Sequence, residues 1–361
     1  MGVTRLRADL HNHSCLSPCA DLSMSPALMA RTARARGVDI LALTDHNASM
    51  NCGPFAIACA REGVIPLFGM EMNSSEEVHI LALFPTPREA LAFGAELHSL
   101  IPELPWDSGA FGDQAVVDED EGVLELHGRW LGAALDAPFG DLASKARLAG
   151  ALVIPAHVDR GMFSVYSQLG FLPPGPYDAV ESMGQPPAFL TGGHCAISGS
   201  DAHYPEHLGR RPFLVDMDGA PVEEMRRALV DYGNALAAYG AGRGACGVAG
   251  RAGTAAVLGD VRGPGTVAVS EDAGGPGAAV VSKAARATGA AEDNTEAASE
   301  ADVVKEGWNG SETAFLGYPS LLSDPRLDLY PAVEARNFME NLREALRGGK
   351  VIPTHLARSL I

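Results

Sequence analysis

Histidine and carboxylate side chains gather at the ends of short apolar runs in this chain. Asp9-Leu10-His11-Asn12-His13 closes the first run, Thr44-Asp45-His46 the second and Gly69-Met70-Glu71 the third. His79 opens a fourth, Pro155-Ala156-His157 closes a fifth, and Ser200-Asp201-Ala202-His203 closes the last. Imidazole suits ions such as zinc and iron, whereas carboxylate oxygens suit harder ions such as manganese and can bridge two of them. His11 and His13, two apart on a strand, point to one side and can reach one ion; Asp201 and His203 repeat that spacing. A single histidine so placed is more often a hydrogen-bonded core or surface residue. The whole set, all at apolar strand ends, is poorly explained in that way. Together these residue types offer metal-assisted hydrolysis, in which a bound water of lowered pKa attacks a polarised centre.

Something must bring these ends together. The runs at 5–10, 39–44, 64–70, 79–84, 152–156, 179–183 and 196–200 read as strands. Helical stretches at 26–36, 53–62, 88–99, 141–149 and 221–231 fall between or after them. Alternating β and α elements predict a parallel sheet with helices outside. Seven strands with ligands at their ends favour a distorted (β/α)7 barrel, whose C-terminal strand ends converge on one face.

This domain is expected to span residues 1–239. Within it, residues 101–135 break the rhythm and carry the acidic run Asp118-Glu119-Asp120-Glu121, which reads as a loop insertion beside the barrel mouth, either a substrate lid or a solvated excursion. Twelve glycines fall between positions 240 and 277, followed by an Ala/Glu/Asp-rich stretch. That composition predicts a largely disordered linker over 240–305, because too little apolar surface is present to offset ordering. Residues 306–361 read as a C-terminal tail with a short helix near 332–346, suited to docking or to a protein partner.

Charge narrows the partners. Residues 1–239 hold 15 Lys+Arg against 30 Asp+Glu, so −15 of the formal net charge of −18 lies there. Nucleic-acid binding relies on Lys and Arg neutralising phosphates, so the composition favours a small substrate over a long polyanion. No apolar run approaches the ~20 residues needed to span a bilayer, and the opening MGVTRLRADL lacks a signal-peptide pattern. The six cysteines form no CxxC pairs, which argues against a disulfide framework or zinc ribbon. The expected location is the cytoplasm, without membrane contact.

DLHNHS, LTDHN, GMEM, the histidine of EEVHILALF, PAHVDR and GSDAH, in this order, resemble the motifs of the PHP (polymerase and histidinol phosphatase) superfamily. The resemblance covers roughly residues 5–215 and is closest to stand-alone bacterial members. It implies two or three divalent ions, zinc, manganese or iron. His11, His13, Glu71 and Asp201 would bind the first, and Glu71, His79 and His157 the second. Asp21, His46 and His203 would bind the third, with Asp21 standing where many members have histidine. Asn12 and Asp45 suit the orientation of ligand imidazoles.

The implied reaction is in-line attack on a phosphate ester by a hydroxide held between metals, with Glu71, Asp201 and Arg160 as the catalytic residues. Arg160, three residues beyond His157, is placed to grip a phosphoryl oxygen in the bidentate manner of guanidinium. His207 and Arg210, with Arg211, could add phosphate contacts. The expected substrate is a small ester such as a nucleotide or sugar phosphate. The alternatives are a nuclease acting on DNA or RNA ends and a non-catalytic metal-dependent sensor or scaffold. An amidohydrolase bridging its metals through lysine is disfavoured, because Lys145 is the only lysine in the first 239 residues and lies outside every motif.

Overall fold

The computed structural model describes residues 2–104, 107–184, 187–244 and 317–352. In chain order the elements are β1 (Val3–Asp9), α1 (Pro26–Ala35), β2 (Ile40–His46), α2 (Cys52–Glu62), β3 (Ile65–Asn73), β4 (His79–Phe84) and α3 (Pro87–Leu97). Then come α4 (Ser108–Phe111), β5 (Ala115–Val117), β6 (Val123–Leu126), α5 (Phe139–Leu148), β7 (Leu152–Pro155) and α6 (Val165–Gln168). The series closes with β8 (Val180–Glu181), β9 (Ala196–Ile197), β10 (Phe213–Asp218), α7 (Gly219–Gly244), α8 (Tyr318–Leu322), α9 (Ala332–Arg347) and β11 (Val351–Ile352).

The main sheet has the order β11-β10-β1-β2-β3-β4-β7 and curls as a half-barrel; β8 and β9 pair separately. The α/β class and the barrel-like curl agree with the sequence reading. The expectation of an all-parallel sheet does not hold. β1, β2 and β3 run parallel, whereas β4 is antiparallel to β3 and to β7, and β10 is antiparallel to β1. The reason is connection length. Only residues 74–78 separate β3 from β4, too few for the crossover that parallel neighbours require.

β2 and β3 are buried along almost their whole length, as strands covered on both faces must be, and this is why they read as continuous apolar runs. Their covering helices start at well-defined caps. Ser25 accepts the Leu28 N–H ahead of Pro26, and Thr86 accepts the Glu89 N–H ahead of Pro87. Each cap satisfies a backbone donor that the first turn leaves unpaired, with proline where its missing N–H costs nothing.

Residues 101–135 are more than a loop. They contain α4 and the β5–β6 hairpin, and Asn51 holds them against the domain by accepting the Val117 N–H and donating to the Ala115 carbonyl. The C-terminal segment docks on the same core. Tyr318, Tyr330, Phe338, Leu342 and Leu346 are buried in the cluster that contains β1–β4. Asp178, itself buried, accepts from Val153 N and pairs with Arg147 of α5 and with Arg347 of α9, at 2.7 and 2.8 Å. The helix α7 runs on to Gly244, past the expected boundary at 239. The remainder of the expected linker, the start of the expected tail and the last residues, 353–361, lie outside the described residues, and with them any contact they make to a protein partner. No helix among the described residues is long and apolar enough to cross a membrane.

Candidate metal centre

β1, β2 and β3 deliver His11 and His13, His46 and Glu71 to one end of the sheet. β4 supplies His79 from its first residue, and the turns after β7 and β9 supply His157, Asp201 and His203. Two of these residues sit in left-handed backbone, His157 at φ 28° and Asp201 at φ 46°. Non-glycine residues rarely adopt that region, at a cost of about 1–3 kcal/mol each, and such strain concentrates at functional sites. Asp9 secures the second turn by accepting the N–H groups of Ser200 and Gly209.

The hydrogen bonds around His11 and His13 settle which nitrogen faces the centre. His11 Nδ1 lies 2.7 Å from Glu181 Oε2, an acceptor-only carboxylate, and so donates its proton there. Ser17 Oγ donates to Asp45 and receives the His46 N–H, which leaves it to accept from His13 Nδ1 at 3.0 Å. Both Nε2 atoms therefore face the centre, 3.3 Å apart, and become lone-pair donors once a cation displaces the proton they share with their neighbours. Around them, Glu71 lies 3.2 Å from His11 and 3.4 Å from His13, and Asp201 Oδ1 lies 3.5 and 3.3 Å away. The His11, His13 and Asp201 donors, 3.3–3.5 Å apart, match three ~3.4 Å edges of a tetrahedron of ligands about 2.1 Å from an ion, with Glu71 beside them. The donor set fits a divalent cation.

Glu71 is shared. Its Oε1 lies 2.7 Å from His79 Nδ1 and 3.0 Å from His157 Nε2, and its Oε2 lies 3.2 Å from His46 Nδ1. The His46 nitrogen is buried and makes no hydrogen bond in that position. Burial would raise Glu71, but the imidazoles of His79 and His11 outweigh it and hold the carboxyl well below the usual range. His13 is lifted to about 9, because hydrogen bonds to Asp201 and Glu71 overcome the effect of burial. Burial, reinforced by the charge on His13, takes His203 down to about 4. Each ionised carboxylate thus has an imidazole answering it, as buried charges require.

Four overlapping triads result: His11/His13/Asp201, His11/Glu71/His157, His46/Glu71/His79 and His13/His46/His203. They open into a cleft of about 290 Å³ that also presents Arg160, Phe163, Trp130 and Phe111. Arg160 Nη1 pairs with Asp201 Oδ2 at 3.1 Å, and its side chain is 42% exposed, leaving it free to swing toward a ligand.

The PHP domain family model matches residues 9–138. The chain carries a PHP domain. A 3′,5′-nucleoside bisphosphate phosphatase of Chromobacterium violaceum is 40% identical over 90 residues, which is 24% of this chain and 30% of the relative. The chain thus matches less than a third of that relative's length. Among solved structures, the lesion-specific endonuclease of Pyrococcus furiosus gives a TM-score of 0.43 at 19% identity, covering 63% of this chain and 56% of the other. An amidohydrolase of Chromobacterium violaceum with bound sulfate gives 0.35 at 22% identity, covering 58% and 91%. Both likenesses are too loose to bear on activity.

Not every residue singled out in the sequence comes to the PHP cluster. Asp21 is exposed and spends Oδ1 on the N–H and hydroxyl of Ser23, so His13, not Asp21, stands beside His46 and His203. Asn12 donates to the carbonyls of Asp9 and Ala42 and joins β1 to β2 without touching an imidazole. Asp45 reaches His13 only through Ser17. Arg210 is bound to the Ser200 carbonyl and Arg211 to those of Ser182 and Met183, while the His207 ring packs on Tyr204. None of these three lines the cleft. Glu181 was missed. Its signal is a carboxylate in the apolar run Ala179-Val180-Glu181, the same pattern that marks Glu71.

Proposed function

We propose that the chain is a metal-dependent phosphoesterase hydrolysing a small phosphate ester such as a nucleotide or sugar phosphate. The observation that supports this most directly is the convergence of His11, His13 and Asp201, with Glu71 against them, beside a partly exposed arginine. Divalent ions bound there would supply a water of lowered pKa and Lewis-acid polarisation of the phosphoryl oxygens. The metal assignment starts from the triads, with Glu71 shared between neighbouring sites and two or three ions accommodated.

The chain's own groups account for the rest. Arg160 exchanges its contact with Asp201 for a non-bridging phosphate oxygen, a charge-assisted pairing suited to guanidinium. Glu181 and the Ser17–Asp45 pair keep the His11 and His13 rings turned with Nε2 toward the substrate. The narrow cleft, low basicity and acidic domain support a small ester over a polymer. The match to a nucleoside bisphosphate phosphatase supports the same class.

The test is hydrolysis of p-nitrophenyl phosphate and its bis ester after reconstitution with zinc, manganese or iron, beside His11→Ala/Glu71→Ala. Metal-dependent turnover lost in the double variant supports the proposal, and the preferred ester distinguishes mono- from diesterase. An inert wild type that binds two or three ions would overturn it in favour of a sensor. Faster cleavage of oligonucleotides than of mononucleotides would favour a nuclease.

A further inference from the structure

The cleft has an aromatic side that the hydrolytic chemistry does not use. Trp130 and Phe111, both from the 101–135 insertion, line it together with Arg160 and the metal-binding group. Their rings pack at 5.3 Å with planes 35° apart, and Phe111 is 46% exposed. This pair is built in place. Gln114 accepts the Leu131 N–H and donates to the carbonyls of His127 and Arg129, gripping the backbone on both sides of Trp130. Asn47, next to His46, donates to the carbonyls of Leu131 and Ala133. Gly132 lets the indole lie over its backbone, since a Cβ there would stand 2.9 Å from Trp130 Nε1. A third ring, Phe163, is held in left-handed backbone at φ 56° and stacks on His79 at 4.9 Å. Bulky residues are rare in that conformation. Several independent devices thus keep flat apolar surface beside the cluster of histidines and carboxylates.

We infer that Trp130 and Phe111 are specificity-determining residues that stack on a flat heteroaromatic ring of the substrate, while Arg160 and the metal-binding group engage its phosphate. The inference rests on the phosphoesterase reading and narrows its substrate to phosphate esters that carry such a ring. Ring-on-ring stacking contributes about 1–3 kcal/mol per base by alanine substitution, which converts to roughly 5- to 150-fold.

Adenosine 5′-monophosphate and ribose 5-phosphate share the same ester and differ by the base, so their comparison isolates the ring. The wild type should prefer the nucleotide in kcat/KM by at least about tenfold. Trp130→Ala should lose most of that preference by raising KM for the nucleotide more than for ribose 5-phosphate, Phe111→Ala should act in the same direction, and Trp130→Tyr should restore it. Binding is read separately, as quenching of tryptophan fluorescence by adenosine 5′-monophosphate that disappears in Trp130→Tyr. Equal wild-type kcat/KM on both esters, or an equal loss on both in Trp130→Ala, would overturn the inference while the phosphoesterase stands. Absence of all turnover with quenching retained would overturn the phosphoesterase reading and leave the ring site supported. Absence of both discrimination and quenching would overturn the ring site whatever the turnover.

Discussion

Replacing Glu181 provides the sharpest test of the argument about ring orientation. Its Oε2 accepts from His11 Nδ1 at 2.7 Å and from His157 N at 3.2 Å. Its Oε1 is buried without a hydrogen bond and lies against Gly199, where a Cβ would come within 2.4 Å. Glu181→Ala leaves two buried donors unanswered and frees the His11 ring to turn. Glu181→Gln can keep one oxygen on both donors, but it places an amide N–H where no acceptor stands, at about 1–3 kcal/mol. Outer partners of metal-bound histidines commonly contribute 10- to 100-fold in metal affinity, about 1.4–2.7 kcal/mol. Glu181→Ala should therefore weaken zinc or manganese binding by about 100-fold and Glu181→Gln by about tenfold. A chelator-competition titration with a metal-sensitive dye measures this, and far-UV circular dichroism checks that the fold persists. The gain in urea midpoint on metal loading should shrink in the same order, since ligand binding to the native state sets that gain. Wild-type affinity in a folded Glu181→Ala protein would refute the claim that this carboxylate directs His11 Nε2 toward the ion.

Three further outcomes follow from the same geometry. Asp21→Ala should leave the number of bound ions unchanged, whereas His46→Ala should lower it, as counted by inductively coupled plasma mass spectrometry on desalted protein. Asp178→Asn weakens the junction between α5, α9 and β7; buried pairs broken on one side cost about 3–5 kcal/mol, and the partial exposure of Arg147 and Arg347 reduces this to about 2 kcal/mol, visible as a lower urea midpoint with metal affinity retained. His127 is buried beside His98, Arg129 and Glu125, and burial, aided by His98 and Arg129, lowers its pKa from the ordinary 6.5 to about 4. The unfolded chain then takes up a proton that the folded chain refuses, so this contribution is complete above about pH 6.5 and is lost as pH falls toward 4, by up to about 3 kcal/mol; His127→Gln should flatten the urea midpoint across that window, and an unchanged slope would exclude this ring as the cause.

How far the sequence carried the fold depended on whether the relevant interaction was local. β2 and β3 were legible because double-sided burial writes itself as an uninterrupted apolar run. Strand direction is not written in such a run, and the antiparallel turn from β3 to β4 was readable only from the five-residue connection, which admits no crossover. The β5–β6 hairpin escaped because Asn51 and Gln114 hold it through contacts that local composition does not encode. Asp21 and Glu181 show the same division within the site. Asp21 held the motif position, yet Ser23 stands two residues on, and a short aspartate side chain readily turns back to such a donor. One of its two oxygens was already spent on that turn, and the side chain faces outward. Glu181 has no donor in its own strand to consume it, so its carboxylate remains available to hold the His11 ring and the His157 backbone N–H. A metal-site reading from sequence therefore has to ask of each carboxylate which nearby donors already hold it; spacing alone promotes an Asp21 and passes over a Glu181.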